Sequence, residues 1–139
     1  MPTSAEYAVD TSVAVAALDA AHAAHEVCRS AVQRHRPALA GHAAFETYSV
    51  LTRMPGGQRV DGPTAGELLR RVFPEVTVLD DGATGELLTR LGPIGIVGGA
   101  VYDALVGEAA RAAGRVLLTR DARARSTYDL LGVEVGVVD

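Results

Sequence analysis

A chain of 139 residues, 48% hydrophobic and 22% charged, can bury a core without disulfides or a structural metal. Its lone cysteine, Cys28, excludes an internal bridge, no Cys/His spacing suits zinc, and no apolar run is long enough to span a bilayer. The net charge of −4, with Arg supplying all 13 basic residues, argues against a broad phosphate-binding face and leaves only a local Arg patch beside a neutralised pocket for any contact with nucleic acid.

Tyr7 to Val9 reads as a first strand that ends abruptly on Asp10, and Ser12 as the cap of a helix whose apolar side is Val13, Ala14, Ala17 and Leu18. His22 to Arg36 continues helical over Ala24, Val27, Cys28 and Ala31 until Pro37 stops it, and residues 37–40 suffice only for a short second strand before Gly41 turns the chain. His42 to Arg53 is a third helix, and Thr64 with Glu67 forms a capping box for a fourth through Phe73. Val76 to Leu79 is a β-branched third strand, after which Asp80-Asp81-Gly82 turns into a helix over Ala83 to Leu91, with Asp81 read as its cap. Ala100 to Ala113 is an alanine-rich helix finished by Gly114. Val116 to Thr119 is a fourth strand with Asp121 directly after it, and a short helix to Leu131 precedes a last strand over Val133 to Val138.

This alternation predicts an α/β fold, a parallel sheet with helices on both faces. With no repeat, linker or low-complexity segment, residues 1–139 are expected to form a single domain. The opening Met-Pro-Thr-Ser-Ala-Glu lacks the basic region and apolar core of a secretory leader, so a soluble cytoplasmic protein is expected. The apolar positions between Val13 and Val32 outnumber what one sheet face would cover, which suggests self-association.

In a parallel sheet the edge formed by the carboxyl ends of the strands is where ligands collect. Asp10 and Asp121 follow strands and lie at that edge. Crossover helices run antiparallel to the strands, so the first turns of the third helix and of the Ala100 helix start there too, bringing Glu46 and Asp103. Asp103 shares a small-residue stripe with Ala100, Gly107 and Ala110, which suits a helix lying close to something; Glu46 shares a face with Ala43, Ser49 and Val50. Two like charges about 4 Å apart repel by roughly 4 kcal/mol at an effective dielectric near 20, so a cation should occupy such a cluster. All-oxygen ligands select Mg²⁺ or Mn²⁺, the usual device for activating water against a phosphodiester.

The edge rule also admits Asp80, Asp81 and Asp139, so geometry by itself overpredicts. Thr11, Ser12 and Thr119 beside the acids can orient a carboxylate or serve as caps. His22 and His25, at i and i+3, stand at a helix start away from the proposed edge. Gly92 to Gly99 follows a helix and contains Pro93, so it fails the context of a dinucleotide-binding loop, and neither a P-loop nor G-x-S-x-G occurs.

Four segments together resemble one family. Tyr7-Ala-Val-Asp10-Thr-Ser-Val looks like the opening strand and first acid of the PIN-domain endoribonucleases, of the VapC toxin type. Ala44-Phe-Glu46, with Leu51 and Arg53, looks like their second acid; Gly98-Gly-Ala-Val-Tyr-Asp103-Ala-Leu-Val resembles the third-acid helix, and Leu117-Leu-Thr-Arg-Asp121 the fourth. The resemblance covers nearly the whole chain. It implies a PIN-like three-layer α/β/α fold with a five-stranded parallel sheet in the order 3-2-1-4-5, leaving Asp80 and Asp81 on an edge strand. It also implies RNA cleavage dependent on Mg²⁺ or Mn²⁺, with Asp10, Glu46, Asp103 and Asp121 as the catalytic and metal-binding acids, and inhibition by a VapB-type antitoxin. Some members carry a further acid or Asn where this chain has Arg123, a departure that bears on any second metal.

A receiver domain would need a Lys, and there is none; a haloacid-dehalogenase-type phosphatase would need an acid where Ser12 stands. The rival reading is a PIN-like RNA- or protein-binding module whose site has decayed. The enzyme reading expects Arg53, Arg120, Arg123 and Arg125 near the acids, some of them on RNA phosphates, and the chain as a homodimer that associates with its antitoxin.

Overall fold

The computed structural model describes residues 6–139; residues 1–5, most of the stretch read above for a leader, lie outside the described residues. Five parallel strands, β1 (Tyr7–Val9), β2 (Ala38–Ala40), β3 (Val76–Thr77), β4 (Val116–Thr119) and β5 (Val135–Val137), form one sheet in the order β3-β2-β1-β4-β5. Seven α-helices connect them: α1 (Thr11–Leu18), α2 (His25–His35), α3 (Ala43–Arg53), α4 (Gly62–Val72), α5 (Asp81–Leu91), α6 (Ala100–Ala112) and α7 (Ala122–Leu131). None of these helices is long and apolar enough to cross a membrane.

β1 is central because it is apolar on both faces, as a strand covered by helices on each side must be. Its registers, Ala8 with Ala38 and Leu117, Val9 with Leu39 and Leu118, alternate between two cores. Val9, Leu39 and Leu118 join Val13, Cys28, Leu51 and Phe73 on one face; Ala8, Ala40 and Leu117 join Leu87, Ala104, Tyr128 and Leu131 on the other. Each large side chain so buried contributes about 1.5–3 kcal/mol.

Three caps differ from expectation. Asp10, not Ser12, caps α1; Asp61, not Thr64, caps α4; and Asp80, not Asp81, caps α5. In each case the carboxylate stands in extended backbone one residue ahead of the helix and accepts a backbone N–H three residues on, so the residue chosen from sequence is already inside the helix. β3 ends at Thr77 and α2 begins at His25. Val27 on α2 is exposed, and Val32 is buried instead. Val13, Ala14, Ala16 and Ala17 are all buried, because α1 is enclosed by α2 and α3 as well as by the sheet. The apolar positions of α1 are thus largely covered inside the chain, whereas Val27 of α2 is not.

Two glycines set the spacing of helices around the sheet. Gly41, between β2 and α3, has a φ of +51° and donates to the Thr77 carbonyl at 2.7 Å; a Cβ on it would stand 3.0 Å from that of Ala109 on α6. Gly107 on α6 faces the Tyr128 ring of α7, where a Cβ would meet Cδ1 at 2.8 Å.

Candidate active site

Asp10 lies at the carboxyl end of the central strand, only 3% exposed. Its Oδ1 accepts from the Ser12 hydroxyl at 2.5 Å and the Val13 N–H at 3.3 Å, and its Oδ2 from the Thr119 hydroxyl at 2.5 Å and the Tyr128 phenol at 2.9 Å. Four donors saturate this carboxylate. They are themselves linked to the backbone, since Ser12 Oγ accepts from the Arg120 N–H at 2.9 Å and Thr119 Oγ1 from the Asp121 N–H at 3.0 Å. Burial nevertheless pushes the Asp10 pKa up, more than the four hydrogen bonds pull it down. The same burial, with the Asp10 charge, drives the Tyr128 pKa far above its usual value and keeps the phenol a donor.

The other three predicted acids meet at one cleft of about 620 Å³, lined by Glu46 of α3, Asp103 of α6 and Asp121 ahead of α7 together with His42, Arg53, Tyr102 and Arg123. Asp121 caps α7: its Oδ1 accepts from the Arg123 and Ala124 N–H groups at 3.0 and 3.2 Å. Neither Glu46 nor Asp103 has a hydrogen bond or ion pair from its carboxylate to the described residues. The Asp103 pKa is raised, first by burial and then by the charges of Asp121, Glu46 and Asp10, with Arg123 opposing. That coupling ties all four acids into one electrostatic cluster. Among the described residues no three acids or histidines close into a ready-made metal cage. The cleft acids offer oxygen ligands that are open and only partly engaged, which suits a hydrated Mg²⁺ or Mn²⁺ held by one or two carboxylates better than a dedicated zinc site.

Of the predicted arginines, Arg53 and Arg123 line this cleft. Arg120 lines an adjoining groove with Ser12 and Asp121, and its guanidinium donates to the Val138 carbonyl at 2.8 Å; Arg125 lines neither. His22, expected away from this edge, also lines that groove; the correction follows from the turn between α1 and α2, where its Nδ1 accepts from the Ala24 N–H at 3.0 Å. His25 bonds the Ala16 carbonyl at 2.9 Å and so ties α2 to α1. Asp80 and Asp81 stand on the sheet's outer side at the start of α5.

Sequence reasoning missed Tyr128 and Tyr102. Within Ala124, Thr127, Tyr128 and Leu131 an aromatic residue reads as ordinary core, and only Gly107, left bare on the facing helix, signals that a ring is accommodated there.

The model of the PIN-domain family matches residues 7–130. The chain is 45% identical over 130 residues to the protein named Ribonuclease VapC27 from Mycobacterium tuberculosis (strain ATCC 25618 / H37Rv), covering 94% of this chain and 95% of the relative. It is 44% identical over 132 residues to Ribonuclease VapC40 of Mycobacterium tuberculosis (strain CDC 1551 / Oshkosh), covering 94% and 98%. The fold is similar to a chain in the crystal structure of VapBC2 from Rickettsia felis bound to a DNA fragment from their promoter, with a TM-score of 0.64, 16% identity, and 96% and 98% of the two chains covered.

Proposed function

The chain belongs to the PIN-domain family and is of its VapC type, and on that premise we propose that it is a metal-dependent endoribonuclease, the toxin of a VapBC-type toxin–antitoxin pair. The observation that supports this reading is the meeting of Asp10, Glu46, Asp103 and Asp121 at one sheet edge, with two of the four carboxylates unpartnered among the described residues.

Asp103, with Glu46 or Asp121, would hold the ion, and the remaining acid would act through water. Asp10 contributes charge from the floor, and its direct ligation requires one of its four donors to withdraw. When bound, Mg²⁺ or Mn²⁺ supplies a more acidic water and offsets charge developing on a scissile phosphate. Ser12, Thr119 and Tyr128 hold the Asp10 carboxylate in place. Arg53 and Arg123, in the same cleft, draw in the RNA backbone and fix its register.

The physiological partner in this reading is a VapB-type antitoxin, docked so that a basic side chain neutralises the acidic cleft in competition with the metal. A homodimer completes it; α1 is enclosed within the chain, so the dimer would form through other surfaces.

Incubating the purified chain with a mixed RNA pool, with Mg²⁺ or Mn²⁺ and with EDTA, tests the assignment. Cleavage is expected only with metal, and Asp10→Asn and Asp103→Asn should each abolish it while leaving the circular dichroism spectrum unchanged. Full activity in both variants refutes the site, and absence of any cleavage with either metal returns the decayed-module reading. Co-expression with the neighbouring small reading frame should yield a stable complex that no longer cuts RNA, its inhibition weakening as Mg²⁺ rises; sedimentation of the isolated chain reads the dimer.

A further inference from the structure

Aromatic residues are scarce here, four Tyr and two Phe with no Trp. Three of the six, Phe45 (74%), Tyr48 (40%) and Tyr102 (55%), are exposed, and all three lie on α3 or α6, the helices that carry Glu46 and Asp103. Tyr102 immediately precedes Asp103 and lines the acidic cleft. Its ring stacks on the imidazole of His42, the residue just before α3, with centroids 5.2 Å apart and planes inclined by 26°. The stack therefore bridges the two helices that bring the unpartnered acids together. Leaving a ring half in water in a polar cleft forgoes burial that the core would otherwise gain.

We propose that Tyr102, backed by His42, is a stacking platform for one unpaired nucleobase of a single-stranded RNA, placed beside the acids so that the adjacent phosphate enters the cleft. This rests on the nuclease reading and extends it to a subsite. His42 covers one face of the Tyr102 ring, and the exposure of the side chain leaves a face for a second ring. The cleft offers three chemistries at once: an aromatic face, the guanidiniums of Arg53 and Arg123, and carboxylates for a cation. A nucleotide matches all three, with a base for the ring and a phosphate for the arginines and the metal. Every base has a π-face, so the platform sets the geometry of the strand and selects single-stranded over duplex RNA without dictating which base is used.

The test uses short single-stranded RNAs carrying 2-aminopurine at one position at a time. They are bound with Mg²⁺ present to the full chain in an Asp10→Asn background, with intact RNA verified on the same samples. One probe position should show strong fluorescence quenching. Tyr102→Ala should abolish that quenching and weaken binding by about thirtyfold, the middle of the range for one stacked base; Tyr102→Phe should retain both, and Tyr102→Leu should behave like Ala. Removing the base at the quenched position should weaken binding to the Tyr102 protein and leave the Tyr102→Ala protein unaffected. Salt-sensitive RNA binding that is indifferent to Tyr102→Ala overturns the platform and leaves the nuclease reading standing. A Tyr102→Ala protein that binds RNA normally but loses its antitoxin assigns the ring to the protein partner and equally overturns the proposal. Absence of RNA binding at every probe position overturns the platform, whereas the nuclease reading fails separately, by absence of metal-dependent cleavage in the unsubstituted chain.

Discussion

The Tyr128 phenol donates to Asp10 Oδ2 at 2.9 Å, joining α7 to the carboxyl end of the central strand and fixing one oxygen of a buried carboxylate. Tyr128→Phe keeps the ring in place and deletes only that donor. Stability should fall by about 1–3 kcal/mol, the range for leaving a buried acceptor short of a partner, as read from urea titration. A donor to the charged form lowers a carboxylate's pKa, so its loss should raise that of Asp10 further, which a carboxyl ¹³C titration detects. An unchanged Asp10 titration would show that the phenol does not stabilise the charge.

Gly107 gives the Tyr128 ring its room. Gly107→Ala places a methyl 2.8 Å from Cδ1, so overpacking of about 1–3 kcal/mol should outweigh the roughly 1 kcal/mol gained in helix propensity. Gly85→Ala on α5 meets nothing within 4 Å and should raise the melting temperature instead. Opposite signs in the two variants are expected by calorimetry, and equal shifts would refute the packing argument.

Glu108 is a buried acid outside the cleft. Both its oxygens accept from Arg111 at 2.7 Å, and Arg90 of α5 adds a hydrogen bond at 3.3 Å. The Arg111 hydrogen bond, the largest influence, holds its pKa below the usual glutamate value. A depressed folded pKa contributes stability above the unfolded value, near 4.3, and loses it as pH falls through the folded one. Glu108→Gln should therefore be less stable by about 1–2 kcal/mol near pH 7, a figure kept low because both guanidiniums are partly solvated. The gap should begin to narrow as pH falls past the unfolded value and close only below the folded one. Parallel denaturation curves across pH check it, and a gap that persists in acid would rule out the ion pairs as its source.

Replacing Arg53 or Arg123 with Ala should weaken RNA binding at low salt and reduce the slope of log K against log salt by about 0.7 for each single-strand phosphate that the protein no longer neutralises. Arg125→Ala, outside the cleft, serves as the control. Slopes identical among the three would exclude phosphate binding by the cleft arginines.

The sheet was legible because its signals are local: short apolar runs at Tyr7, Pro37, Val76 and Val116, each ended by a turn residue and separated by helical periodicity. The acids were legible because parallel topology sends every strand end and every returning helix start to one edge, and family resemblance then set Asp80 and Asp81 apart from the rest. The caps are not legible in the sequence because Asp10, Asp61 and Asp80 compete with Ser12, Thr64 and Asp81, and backbone conformation decides among them. The Tyr128 bond to Asp10 and the His42–Tyr102 stack join residues far apart in sequence, where neither periodicity nor spacing reaches.

Gly41 decides how near the helix bearing Glu46 comes to the helix bearing Asp103, because its bare α-carbon rests against Ala109 and its amide is pinned to β3. The gauge of the cleft is thereby written into the backbone at a residue that has nothing to ionise and no rotamer to change. A single methyl group at position 41 would meet Ala109 and the Thr77 and Leu105 carbonyls, and so would act on the cleft's width without touching a charge.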